Sequence, residues 1–248
     1  MIRKVVIAAA GQGTRMKHFS KNKSKHLIKV QDRPFLAYLF DNLLKAGYWE
    51  LILVVGYRED LMRKFVEDYR KSDFAKKFKN LKITFVNQHE ILGPKEKIYG
   101  TACPIMCVKD VVGKESFLSV FGDNLYPVKD LKGMQKDDNY NYIAGLIHKN
   151  PEKYGVLITE DGFLKEIVEK PKEYVGNLIN TGMCKFTPDV FKKLPEIKKS
   201  SRGEYEITDV ITLLAKDKKV KVKKITGWMD FGNPGDIVRF SRFLKSSK

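Results

Sequence analysis

The sequence predicts an α/β fold built on a doubly wound, mixed and mostly parallel sheet. Three observations carry that expectation. Apolar runs of strand length alternate with helix-periodic segments through the first half of the chain, and those strand runs are continuously apolar, as in strands buried on both faces. Beyond about residue 139 the pattern changes to short strand-like runs separated by turns, which would extend the sheet with antiparallel strands and carry a second subsite.

The elements follow in order. KVVIAA, from Lys4, reads as a buried strand stopped by Gly11, and FLAYLFDNLLKA, from Phe35, has helical spacing that ends at Gly47. LILVVG is the next buried strand, followed by a helix through EDLMRKFVEDY, a strand at KITFVN, a short helix opening near Thr101 and a strand at SFLSVFGDN. The later segments NYIAGLIHK, YGVLITE, LKEIVEKP and INTGMCKF read as strands. Helices at PDVFKKL and EITDVITLLAKD, a strand at VKVKKI and a terminal helix from about Asp236 complete the order.

The 248 residues are 43% apolar, enough for a real core, and no Pro/Gly/Ser-rich linker or internal repeat divides them. We therefore expect one domain with two lobes, 1–138 and 139–248. Lysine and arginine number 47 against 30 acidic residues, a net charge of +17 that favours anionic partners. The lysines lie in solvated clusters without interleaved aromatics, so the solvated faces of a lysine-rich chain are expected rather than a dedicated nucleic-acid surface, and no membrane partner is expected. No apolar run reaches membrane-spanning length, no cleaved leader is visible, and three cysteines cannot all pair, so a cytoplasmic protein is expected.

In open α/β sheets ligands bind beyond the carboxyl ends of the strands. After the first strand stands AAAGQGTRM, with Gly11, Gly13, Thr14 and Arg15, and a second cluster ends in Lys25. Two glycines allow a tight turn that points amides at phosphate, and the two cations add charge. Alone, such a pair is a weak signal. Met16 stands where a dinucleotide fingerprint needs a third small residue, Gly56 where it needs an acid, and no P-loop pattern is present. Asp123 in VFGDN and Asp230 in WMDFG also follow expected strands; each alone could be a turn former, but together, beside a basic loop, they suit a divalent cation.

With these residues in place the sequence resembles the sugar-1-phosphate nucleotidylyltransferase family along essentially its whole length. The matching segments, in family order, are AAAGQGTRM with Lys25, GTA from Gly100, GD at Gly122, YG at Tyr154, EKP at Glu169, NTG at Asn180, GEYEITD at Gly203 and WMDFGNP at Trp228. The resemblance implies a Rossmann-like fold, with the antiparallel extension binding sugar, and transfer of a nucleotidyl group from an NTP to a sugar 1-phosphate with Mg²⁺. It implies that Ala10, Gly11, Gln12, Gly13, Thr14, Arg15 and Lys25 hold the nucleotide phosphates, with Gln88, Gly100 and Thr101 at the base, which would be that of UTP or dTTP. Asp123 and Asp230 would hold the metal and Lys170 the sugar phosphate, with Gly155, Glu169, Asn180 and Thr181 lining the sugar. Arg15, Lys25, Asp123 and Lys170 would carry catalysis.

The sequence departs from the family in having Ser24, His26 and Lys29 where prolines are common, which implies a differently shaped lysine loop. It ends soon after WMDFGNP, so no C-terminal second activity is expected, and self-association, frequent among relatives, is open. Two other readings stand beside the main one: transfer to another phosphate monoester such as choline phosphate, and a non-catalytic regulator that binds nucleotide-sugars. A phosphate nucleophile is already anionic, which accounts for the lack of an obvious catalytic histidine. His18, His26, His89 and His148 show no metal-ligand spacing, and His26 reads as a loop residue without a special role. Cys103, Cys107 and Cys184 read as buried apolar residues, and Trp49 and Trp228 as core or pocket wall.

Overall fold

A computed structural model describes residues 1–11, 24–94 and 98–246. Strand β1 (Lys4–Ala8) sends Val5 and Ile7 to one face and Val6 to the other, and all three are fully buried, so the strand has a core on both sides. A small hairpin, β2 (Lys29–Val30) and β3 (Arg33–Pro34), leads into α1 (Phe35–Ala46), which ends where Gly47 turns left-handed at φ 95°. Then come β4 (Glu50–Val55), α2 (Glu59–Arg70), β5 (Lys82–Asn87), the short α3 (Gln88–Leu92), α4 (Cys103–Met106) and α5 (Lys109–Val112), and β6 (Phe117–Phe121).

β7 (Asn124–Leu125) and α6 (Val128–Gly133) precede the strands β8 (Asn141–Ile147), β9 (Gly155–Glu160), β10 (Phe163–Glu169) and β11 (Leu178–Phe186). The chain continues through α7 (Val190–Lys193), α8 (Ile207–Lys216), β12 (Val220–Lys224), β13 (Met229–Asp230) and α9 (Pro234–Ser246).

One nine-stranded sheet, ordered β5-β4-β1-β6-β11-β8-β12-β10-β9, draws strands from both halves of the sequence. β5, β4, β1 and β6 are parallel neighbours, as are β8 and β12, while β10 and β11 run against the rest. The sheet is thus mixed, with most strands pointing one way, as the alternating first half and turn-rich second half predict. Two cores flank it. Phe35, Phe40, Met62, Leu131 and Phe240 bring α1, α2, α6 and α9 to one face, and Ile105, Val112, Phe191, Ile211 and Leu214 bring α4, α5, α7 and α8 to the other.

The short elements are where pattern and structure part. The helix expected near Thr101 starts at Cys103, α9 starts at Pro234 rather than Asp236, and α3 and α6 have no counterpart in the sequence reading. These last two have five and six residues, too few for a period to show, and are set by local signals. Asn87 caps α3, its side chain accepting from the amides of His89 (2.9 Å) and Glu90 (3.3 Å), and Pro127 precedes α6. Among the described residues no helix is long and apolar enough to cross a membrane.

Candidate active site

Where β1, β5 and β6 end, a cleft of about 470 Å³ opens over the sheet. Of the residues singled out in the sequence, Ala10, Gly11, Lys25, Gln88, Gly100, Thr101, Asp123, Asn180, Thr181 and Asp230 line it together. Gln12, Gly13, Thr14 and Arg15 lie outside the described residues.

Lys25 opens a single 3₁₀ turn, Lys25–Leu27, closed by the Leu27 amide donating to the Ser24 carbonyl at 2.9 Å. Its ammonium donates to the Asp123 carboxylate, and both side chains are largely buried, 14% and 12% exposed. Burial pushes the Asp123 carboxyl up, but the Lys25 charge and hydrogen bond outweigh it and hold the group below the usual carboxylate range. Asp230 reaches the same cleft by main-chain pairing: β13 runs antiparallel to β7 with Asp230 opposite Asn124, and the Phe231 amide donates to the Asp123 carbonyl at 2.8 Å. Two carboxylates distant in sequence are thereby fixed by one small ladder.

The GTA and GEYEITD segments turn out to be one structure. The Tyr205 amide donates to the Tyr99 carbonyl (2.8 Å) and the Ala102 amide to the Tyr205 carbonyl (2.9 Å), so the segment bearing Gly100 lies directly on residue 205. Gly100 has φ 142°, and a Cβ there would overlap the Tyr205 backbone, so only glycine fits. Thr101 Oγ1 accepts from the Ile207 amide at 2.9 Å and donates to Glu206 at 3.0 Å, tying this wall to the start of α8.

NTG has an equally local reason. The ladder between β11 and β8 shifts register between Asn180 and Cys184, and within that break Gly182 takes φ 77°, its amide bonded to Asn180 Oδ1 at 2.9 Å. Thr181 is pinned below, its hydroxyl donating to the Ala144 carbonyl at 3.1 Å and its carbonyl accepting from Tyr126 at 2.7 Å.

Three expected residues stand off the lining. Gly155 pairs with Glu169 across β9 and β10, and Lys170, at φ 44°, donates its amide to the Tyr154 carbonyl at 3.0 Å. Glu169 and Lys170 are exposed, and the wall beside them is formed by Lys153, Tyr154 and Asn180.

Further lining residues were not singled out as site residues from sequence: Tyr99, Asn124, Lys153, Tyr154, Glu204 and Gly182. Most adjoin a matched motif, which was the available signal. Trp228, one of the two tryptophans expected in core or pocket wall, is wall: it meets Tyr154 edge-on at 5.6 Å, and its buried Nε1 has no hydrogen-bond partner among the described residues.

One sequence expectation needs correction. His26 is not an idle loop residue: it is 1% exposed, shares a 2.8 Å hydrogen bond with Ser24 Oγ, and is held uncharged because burial, aided by Lys25, lowers its pKa to about 3. The described cleft carries both signs of charge. Its charged lining residues are Lys25 and Lys153 against Asp123, Glu204 and Asp230.

The chain matches the nucleotidyl transferase family over residues 4–247. A UTP–glucose-1-phosphate uridylyltransferase of Haloferax volcanii is 32% identical over 240 residues, covering 93% of this chain and 92% of the relative. A bifunctional sugar-1-phosphate nucleotidylyltransferase/acetyltransferase of Sulfurisphaera tokodaii is 32% identical over 97% of this chain, which spans 55% of that longer protein. In fold, a UDP-glucose pyrophosphorylase solved with UDP-glucose superposes with a TM-score of 0.83 at 24% identity, covering 100% of both chains. With a family match spanning nearly all of its length and residues of most matched motifs lining one cleft, this chain belongs to the nucleotidyl transferase family.

Proposed function

We propose that the chain transfers a nucleotidyl group from UTP or dTTP to a sugar 1-phosphate, releasing pyrophosphate. The observation that carries this reading is the convergence of Lys25, Asp123 and Asp230 in one cleft, with Gln88 directly after β5, Gly100 against Tyr205, and Asn180 and Thr181 on β11. A phosphate oxygen of the sugar phosphate attacks the α-phosphorus of the NTP, and the bond to the β-phosphate oxygen breaks. The nucleophile is already an anion, so the chain has to align two polyanions and neutralise charge rather than remove a proton. The names of the relatives support the sugar phosphate and UTP; a side-chain amide at Gln88, able to donate and accept, suits a pyrimidine edge.

Two carboxylates facing one cleft are an oxygen donor set of the kind Mg²⁺ uses when phosphates complete its shell, and Asp123 and Asp230 would hold it. Bound there, Mg²⁺ would neutralise phosphate charge in a cleft whose described lining has more carboxylates than ammonium groups. Lys25 contributes the fixed cation beside Asp123, and Arg15, outside the described residues, would add a second. Lys170, tied to the Tyr154 wall through its amide, is our candidate for the sugar phosphate. The three thiols are buried and unpaired, which suits a reducing cytoplasm.

The test is a panel of NTPs against hexose 1-phosphates and choline phosphate, with and without Mg²⁺, scored by pyrophosphate release. The reading requires release that depends on a pyrimidine NTP, a sugar 1-phosphate and the metal together. Release with choline phosphate alone would replace the acceptor, and nucleotide-sugar binding without release would leave a regulator.

A further inference from the structure

Ser24 and His26 bracket Lys25, and both are buried, 0% and 1% exposed. Their side chains meet across the lysine, Oγ to Nδ1 at 2.8 Å, closing a ring over the 3₁₀ turn. The imidazole then leans on the other half of the site. A Cβ at Gly122 would stand 2.9 Å from His26 Cδ2 and 3.3 Å from Nε2, so the ring fills the space a side chain would take on the residue just before Asp123. Gly122 is itself fixed, its amide donating to the Ala8 carbonyl at 2.9 Å. One side chain therefore spans from the turn that carries Lys25 to the strand end that carries Asp123.

We propose that Ser24 and His26 are positioning residues: their buried hydrogen bond and the seat of the imidazole on Gly122 fix the Lys25 ammonium on Asp123 and towards the phosphates. A lysine has four rotatable bonds and its turn is a single one, so without the brace the ammonium would sample many positions. The effect on turnover rests on the proposed nucleotidyl transfer; the effect on the lysine itself does not.

Two measurements on the full chain separate these. The first is acetylation of Lys25 by acetic anhydride, read by peptide mass spectrometry, with the fully buried Lys185 as internal control. Ser24→Ala and His26→Ala should each raise Lys25 labelling several-fold while Lys185 stays protected, and His26→Asn, which keeps a polar group at the Nδ1 position, should restore protection. The second is turnover. Each alanine variant should lose on the order of 10²-fold in kcat with KM for the NTP little changed, as displaced catalytic groups do. Because the two residues act as a unit, Ser24→Ala with His26→Ala should be no worse than either alone.

Unchanged Lys25 labelling, or labelling that rises equally at Lys185, would overturn the proposal, the latter by showing a general loosening. So would additive losses, or rescue by His26→Gln but not His26→Asn, which would put the action at Nε2 on the substrate. If His26→Ala does not fold, Ser24→Ala, which removes one oxygen, decides by the same readouts. An inactive wild type would defeat the functional reading and leave the labelling result to decide this one.

Discussion

Lys25 and Asp123, 98 residues apart in the chain, meet at the cleft with the ammonium donating to the carboxylate. Each is mostly shielded from water, so each depends on the other's charge. Asp123→Asn keeps the shape and removes the charge. It should lower turnover by on the order of 10²-fold or more, by analogy with the loss of one preorganised charge-stabilising group. Circular dichroism should show the fold intact, and near wild-type pyrophosphate release would contradict the role given to this acid.

Asp130 supports the other carboxylate from outside the cleft. Its Oδ2 accepts from the Thr226 amide and hydroxyl, both at 2.9 Å, and from the Gly227 amide at 3.2 Å, anchoring the loop that leads to Trp228 and Asp230. Asp130→Ala should cost about 2 kcal/mol of stability, since bonds to a buried carboxylate are among the stronger ones. Urea unfolding should show this as a lower midpoint, and turnover should fall as well. A variant that unfolds like the wild type would mean the loop is held by its other contacts.

Gly100→Ala places a methyl group into the Tyr205 backbone at a φ that L-residues rarely adopt. The wall between Tyr99 and Thr101 must then move, so KM for the NTP should rise and thermal stability fall by about 1–3 kcal/mol, the usual cost of forcing such a position. An unchanged KM would show that this wall does not face the nucleotide.

Burial pushes all three thiols up, to about 11 for Cys103 and about 12 for Cys107 and Cys184. Thiolate is the reactive form, so at pH 8 the folded protein should react very slowly with a disulfide reagent, and the three thiols should react promptly after unfolding. Native reactivity should climb with pH as the small thiolate fraction grows, about tenfold per unit, without levelling off below about pH 11. Fast reaction of a native thiol at pH 8 would contradict the burial of these three side chains.

The long elements were legible because their patterns repeat: KVVIA and ELILVV are continuous apolar runs, and FLAYLFDNLLKA gives three full turns before a glycine stop. Asp123 and Asp230 were singled out because both were expected just after strands; Asp123 does follow β6, whereas Asp230 lies within the two-residue β13, too short for a pattern to show. What could not be read was contact between distant segments. That Thr101 bonds to Glu206, that Asp230 pairs opposite Asn124, and that His26 fills the space above Gly122 are tertiary facts with no local signature. The same limit explains Lys170 and Glu169: the EKP motif gives their identity, but the turn after β10 leaves their side chains exposed beside the Tyr154 wall rather than within it.

The most direct measurement follows the transferred phosphorus. With UTP labelled at the α-phosphate, Mg²⁺ and the sugar 1-phosphate that supports pyrophosphate release, the label should move into the UDP-sugar while unlabelled pyrophosphate is released in equal amount. Label recovered in free UMP, or remaining in UTP with every sugar 1-phosphate and with dTTP in its place, would contradict nucleotidyl transfer.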